Sequence, residues 1–597
     1  MINANPTRSP LPSETTVTLH YQVSMPQPTS HLFEVELQIE GWERASLDLK
    51  MPVWTPGSYL VREYSRHVQN FAAQSDDRPL EWRKLGKNHW QIDTDDVSTV
   101  QVRYRVFANE LSVRTNHLDE THGYFNGAAL FFFIPGFQHQ PMRVTVMPPV
   151  PGWHIATTLE PDPSHPHTFQ AADFDELVDS PFEIGVHQLV EFEVEDKPHQ
   201  LVIWGRGKVD TPRMVRDIQK IIEVESQLFQ GLPYDRYLFL LHLSAQGFGG
   251  LEHKNSCSLN YPRLGMQSED KYQRFMQLVA HEFFHLWNIK RIRPKALEVF
   301  DYEAENYTPS LWFSEGTTSY YDLTIPFRAG IYDAKGFLRE LSNEISRYLQ
   351  VPGRQVQPLG ESSFDAWIKL YRRDAHSDNS QISYYLKGEM VSLLLDLLIR
   401  ARHHNRRSLD DVMLIMWERF GKDEIGFTPE QLEDVISDVA DTVLDEFFQL
   451  CLHSTEELPF DQFLAPFGLK LQADPSDSQP PFIGLTVTTE NGKAMVKFVE
   501  HSSPAQQAGV DAGDELLALD QLRVSADQLG DRLKAYQPGD EVLLTFFHQD
   551  ELLTRPVVLA PPRPNRYQLV AVENPSEDQQ QSFEGWLGTP LSAVFGD

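Results

Sequence analysis

Residues 281 to 285 read His281-Glu282-Phe283-Phe284-His285, and thirty positions beyond the second histidine the segment Leu311-Trp312-Phe313-Ser314-Glu315-Gly316 brings a further carboxylate. On a helix, two histidines four residues apart share one face, so both imidazoles can reach one metal ion while Glu282 is offset toward the open coordination position. Two His and one Glu suit a tetrahedral zinc with its fourth position left for water. The ion lowers the pKa of that water to about 7, and Glu282 stands where it can accept the proton. The pattern implies zinc-assisted hydrolysis of an amide or ester, with one Zn2+ per chain. With 22 histidines in 597 residues, such a motif arises by chance only roughly 0.06 times.

The flanks supply helix signals. Ser268 with Glu269 and Asp270 predicts a helix start, and Phe275, Leu278, Val279, Ala280 and Leu286 recur at helical spacing. Lys290, Arg291 and Arg293 are expected to close that segment before Pro294 stops it. A second helix is predicted with Thr308 as N-cap and Pro309 at its first position, so that it carries Glu315.

Two more segments bear on the chemistry. Gly249-Gly250-Leu251-Glu252-His253 resembles the exopeptidase motif of the aminopeptidase N family of gluzincin metallopeptidases, with His253 where that family has asparagine. The resemblance implies that Gly249 and Gly250 lie beside the substrate backbone and that Glu252 binds the free amino group. A carboxylate in a water-poor cleft would hold an ammonium at hydrogen-bond range. Tyr385-Leu386-Lys387-Gly388 is similar to the signature whose tyrosine polarises the scissile carbonyl in the same relatives. Tyr384 competes with Tyr385 for that role.

Over nearly the whole chain the sequence resembles the PDZ-bearing glycyl aminopeptidases, in which HEFFHLWNIKRIRP (281–294), LWFSEGTTSYY (311–321) and MPVWTPGSYLVREYSRHV (51–68) occur together. The resemblance implies a zinc aminopeptidase acting on peptides with a free N-terminus and preferring glycine, sometimes alanine. Two rivals stand beside it. One is a zinc endopeptidase to which the PDZ domain presents protein C-termini, and the other is a peptide-binding scaffold with a vestigial centre.

The fold expected is multidomain: an N-terminal all-β sandwich, a thermolysin-like α+β and α-helical catalytic domain, and a C-terminal PDZ domain. A flexible N-terminus occupies 1–14. Alternating runs such as Thr16 to Val23 and Val100 to Val106 place the β domain at 15–205. Helical periods take over in the catalytic domain, 206–472. The Pro-, Ser- and Asp-rich 473–481 is a linker. Phe482-Ile483-Gly484-Leu485 and Ala512-Gly513-Asp514-Glu515-Leu516-Leu517 resemble a bacterial PDZ domain, 482–562, which offers backbone N–H groups to a peptide or protein C-terminus. The tail, 563–597, ends in aromatics expected to dock back on a domain.

A net charge of −33 argues against nucleic acid and anionic membrane as partners. Cys257 and Cys451 are too few and too far apart for a disulfide framework or a thiolate metal site. No apolar run approaches the ~20 residues of a membrane span. The first twenty residues lack a basic start and an apolar stretch, so a cytoplasmic location is the expectation.

Overall fold

Alternation of apolar and polar residues sets the first half of the fold. In Thr18–Ser24, Leu32–Glu40 and Thr99–Phe107 every second side chain is buried, the period that a pleated strand requires for one face to meet a core. These strands lie side by side in an eight-stranded sheet that runs from Glu160–Pro161 at one edge to Arg78–Pro79 at the other. A three-stranded sheet of Ser46–Lys50, His89–Asp93 and Trp82–Gly86 packs on it. Phe132 joins the two, its ring 4.9 Å from Trp90 on the small sheet and 4.7 Å from Tyr104 on the large one. This is the β sandwich expected from the sequence.

The computed structural model describes residues 17–474 and 479–596. The flexible segment expected at 1–14 and the middle of the linker expected at 473–481 lie outside the described residues.

The chain folds as two units. The first consists of the chain up to Val209 with Tyr234–Gln267 and Asp301–Glu305. Besides the sandwich it contains a four-stranded sheet, ordered His154–Ala156, Phe182–Gly185, His122–Phe125, His117–Leu118. It also contains a mixed five-stranded sheet, ordered Gln188–Val194, Lys197–Trp204, Tyr237–Ser244, Ser256–Pro262, Gly249–Glu252. Tyr237–Ser244 is buried along its whole length and parallel to both neighbours. A strand covered on both faces reads as a continuous apolar run, as this one does.

The second unit consists of Asp210–Pro233, Ser268–Phe300 and the chain from Asn306 onward. Its helices include Thr211–Phe229, Glu269–Phe284, Thr318–Arg328, Ala334–Gln350 and Tyr384–His403. The PDZ domain is an antiparallel sheet of Leu485–Glu490, Lys493–Val499, Glu515–Leu519, Glu541–His548 and Glu551–Val558. Val496, Leu516, Val542, Leu544, Phe546 and Val557 form its dry core. Asn379 ties it to the helical region, donating to the Val499 carbonyl at 2.9 Å and accepting the His501 N–H at 2.8 Å. The tail docks as expected: Trp586 packs on Phe337 and Phe467. No helix among the described residues is long and apolar enough to cross a membrane.

Candidate metal centre

Glu269–Phe284 carries both histidines of the motif at its end, His281 in the last turn and His285 as C-cap. The helix stops ten residues short of Pro294, earlier than the basic cluster suggests. The chain turns instead through Trp287 to Ile292, with Ile289 at a φ of 119°. That turn has a use. It brings the Asn288 carbonyl 2.8 Å from His285 Nδ1, while the Asn288 amide donates to Phe313 O at 2.9 Å. The stop is therefore set by tertiary hydrogen bonds and not by proline chemistry.

The second element also departs from the expected start. Thr308 Oγ1 accepts the Ser310 N–H, but helical structure begins at Leu311 and takes π geometry over Trp312–Thr317 before Thr318–Arg328 continues as α-helix. Glu315 sits inside the π turn, a kind of irregularity that recurs at functional sites. Glycines permit its position. A Cβ on Gly316 would stand 2.5 Å from Gly388 Cα, and one on Gly388 would stand 2.7 Å from Trp312 O. The π turn and Tyr384–His403 thus cross at backbone contact, which fixes Tyr385 relative to Glu315.

The three expected ligands converge. One donor atom from each of His281, His285 and Glu315 lies within 4.8 Å of the others. Glu315 Oε2 is 3.1 Å from His285 Nε2 and 3.6 Å from His281 Nε2. Each imidazole is held from behind at its other nitrogen: His281 Nδ1 is 2.9 Å from Asp322 Oδ2, and His285 Nδ1 meets the Asn288 carbonyl. Such backing fixes tautomer and ring angle and turns both Nε2 lone pairs to one point. The donor set fits a divalent zinc.

The electrostatics agree. Burial by itself pushes the Glu315 carboxyl up, but His285 and His281 outweigh it and hold the group down at about 2. For His281, burial acts downward, yet Asp322 and Glu315 carry its pKa well above the ordinary imidazole value.

Glu282 is 5% exposed beside this pair of histidines. Tyr385 is partly exposed, with its ring 6.3 Å from His281 and nearly parallel to it. Tyr384 is fully buried. The Tyr371 hydroxyl lies 2.9 Å from both the Tyr384 and the Tyr385 hydroxyls. Asp322, Asn288 and Tyr371 went unseen in the sequence. Asp322 had a faint signal, two turns past Glu315 in one helical run; the other two had none.

Gly249-Gly250-Leu251-Glu252 belongs to the first unit, as the edge strand paired with Ser256–Pro262. Arg114 donates to the Gly250 carbonyl at 3.0 Å. Glu252 is 3% exposed, and its buried Oε1 has no hydrogen-bond partner among the described residues. Such a carboxylate oxygen is costly unless a donor arrives. Gly57, at a φ of +85°, runs so close that a Cβ there would stand 2.5 Å from Glu252 Oε1. His253 is held by Asp179 at 3.2 Å and is buried.

Comparison with known proteins gives three matched regions. Residues 20–186 match the peptidase M61 N-terminal domain, 274–391 the M61 glycyl aminopeptidase domain, and 481–559 a PDZ domain. Among solved structures, an aminopeptidase N family protein from Idiomarina loihiensis is 34% identical and superposes with a TM-score of 0.90, covering 96% of this chain and 100% of that one. An M1 zinc metallopeptidase from Deinococcus radiodurans is 12% identical, with a TM-score of 0.45 over 74% of this chain and 95% of that one. No curated protein matches the chain.

Proposed function

The chain belongs to the M61 glycyl aminopeptidase family, and from that premise we propose that it is a zinc aminopeptidase releasing an N-terminal glycine or other small residue from peptides. His281, His285 and Glu315 hold the ion. When bound, zinc would supply a Lewis acid that acidifies water and polarises a carbonyl. Glu282 is the residue to accept a proton from the attacking water and return it to the departing amine. Tyr385 donates its phenol hydrogen to the oxyanion. Glu252 receives the substrate ammonium, with Gly249 and Gly250 alongside the peptide backbone. The PDZ domain takes an extended peptide or a protein C-terminus at Phe482-Ile483-Gly484-Leu485.

The observation that carries this reading is the convergence of two back-braced imidazoles and one carboxylate within 4.8 Å, together with the orphaned Glu252 Oε1. The test is a panel of aminoacyl amides, free and N-acetylated, with and without chelator. Free glycyl and alanyl amides should turn over fastest, acetylated ones should not react, and chelator should stop the reaction until zinc returns. Equal cleavage of acetylated substrates would make the enzyme an endopeptidase.

A further inference from the structure

The sheet of the first unit that contains His117–Leu118 and His122–Phe125 holds a second group of donors. The segment His117-Leu118-Asp119-Glu120-Thr121-His122 forms a tight hairpin, with Gly123 opposite Leu118 and the Asp119 N–H donating to the His122 carbonyl at 2.9 Å. Asp119 Oδ1 accepts from the Thr121 N–H at 2.7 Å, the Thr121 hydroxyl at 2.6 Å and the His122 N–H at 3.2 Å. That leaves Oδ2 facing His117 Nε2 at 3.2 Å. One donor atom from each of His117, Asp119 and His122 lies within 4.8 Å of the others.

His122 is the informative member. It is fully buried, with its ring stacked on Trp204 at 3.6 Å. Its Nδ1 is 2.9 Å from Glu183 Oε1, and the other Glu183 oxygen is 2.9 Å from His242 Nε2. Glu183 therefore fixes the tautomer of His122, with the proton on Nδ1 and the lone pair on Nε2. That Nε2 is buried and has no hydrogen-bond partner among the described residues, and neither has His117 Nδ1. A buried polar atom left unsatisfied costs about 1–3 kcal/mol, and two such atoms belong to the two histidines whose donors cluster with Asp119. The carboxylate–histidine–donor arrangement is the one that backs metal-bound imidazoles.

We propose that His117, Asp119 and His122 form a second divalent transition-metal site, with Glu183 and His242 as positioning residues behind it. Two imidazole nitrogens and one carboxylate oxygen favour zinc over calcium or magnesium, which take all-oxygen ligand sets. Asp119 is 32% exposed and His117 12%, so the ion has an entry path and an open position for water. The overlapping trio His122, Glu183 and His242 is the weaker choice, because the two Glu183 oxygens already accept one imidazole each. The site differs in residues and role from the His281, His285, Glu315 centre and does not depend on any reading of that centre.

The test is metal counting on the full chain after chelator dialysis and reloading with Zn2+, by plasma mass spectrometry. Wild type should hold two ions, His281→Ala/His285→Ala one, and His117→Ala/Asp119→Asn one. Folding of each variant is checked by circular dichroism. Co2+ added to the His281→Ala/His285→Ala protein should give a visible ligand-field spectrum that His117→Ala/Asp119→Asn, introduced on top, abolishes. One ion in wild type and none in His281→Ala/His285→Ala overturns the proposal, as does a cobalt spectrum indifferent to the hairpin substitutions. Should the hairpin variant misfold, the wild-type and His281→Ala/His285→Ala counts decide alone.

Discussion

Two buried carboxylates, Glu315 and Glu183, are each flanked by two imidazoles, and in both cases the histidines outweigh burial and hold the carboxyl at about 2. Their neighbourhoods nevertheless differ. Around Glu315 the Nδ1 atoms are taken by Asp322 and the Asn288 carbonyl, so both Nε2 atoms face the carboxylate across a gap that an ion can fill. Around Glu183 each oxygen is already a hydrogen-bond acceptor at 2.9 Å, and the far nitrogens of both His122 and His242 are the atoms without a hydrogen-bond partner among the described residues. Residue type alone does not make a carboxylate a ligand; the hydrogen bonds at the second nitrogen of its histidines do.

The sharpest cut between the two regions is Glu282→Gln. With Glu282 as the proposed base, the substitution leaves His281, His285 and Glu315 in place, so kcat should fall by about 10²–10⁴-fold with zinc content unchanged. Activity within tenfold of the parent would remove Glu282 as the base.

What made the Glu315 centre legible was local spacing. His281 and His285 stand four apart on a helix, and Glu315 lies in an aromatic segment of its own. The Glu183 cluster could not be read that way, because His122, Glu183 and His242 come from three strands far apart in the chain, the first two paired in the four-stranded sheet and the third in the five-stranded one. The same limit hid Asn288, whose role depends on a turn that ends the helix at Phe284 when the basic run through Arg293 pointed to a later stop. Alternation in Thr18–Ser24 and Thr99–Phe107 exposed the sandwich because a pleat writes its period into the sequence. The switch to helical periods marks the chain's departure from the first unit at Asp210, but its return at Tyr234 leaves no comparable mark.

Glu183→Gln probes the other side. Removing one partner of a buried charged network costs about 3–5 kcal/mol, so the melting temperature should drop while the Glu315 centre keeps its zinc. The pH dependence sharpens this. Glu183 in the folded chain lies at about 2 against an ordinary 4.5, so its stabilisation is fully present above about pH 4.5 and is lost as pH falls through about 2. Acid unfolding of Glu183→Gln should accordingly be flatter below pH 4.5 than that of the parent. Equal slopes would mean that the network is not what acid breaks.

Asp322→Asn should weaken zinc binding by about 10–100-fold, because His281 exchanges an anionic acceptor for a neutral amide that can also turn its NH2 toward the ring. Competition with a chelator dye measures this. If zinc affinity is unchanged, bracing from behind is not what distinguishes the two regions.

The smallest expected effect concerns the tyrosines beside His281. Tyr371 reaches Tyr384 and Tyr385 at 2.9 Å each, so its hydroxyl is placed to orient the phenol proposed for the oxyanion. One neutral hydrogen bond contributes about 0.5–1.5 kcal/mol, so Tyr371→Phe should lower kcat by roughly 2- to 12-fold and leave KM and zinc content in place. Tyr385→Phe should cost more, since it removes the donor and not its support. Tyr384→Phe should cost less, because Tyr384 is buried and stacks on Tyr385 with ring centroids 4.7 Å apart. A larger loss from Tyr384→Phe than from Tyr385→Phe would exchange the roles of the two residues. The catalytic phenol would then be the buried one, and the partly exposed ring beside His281 would serve only to cover it.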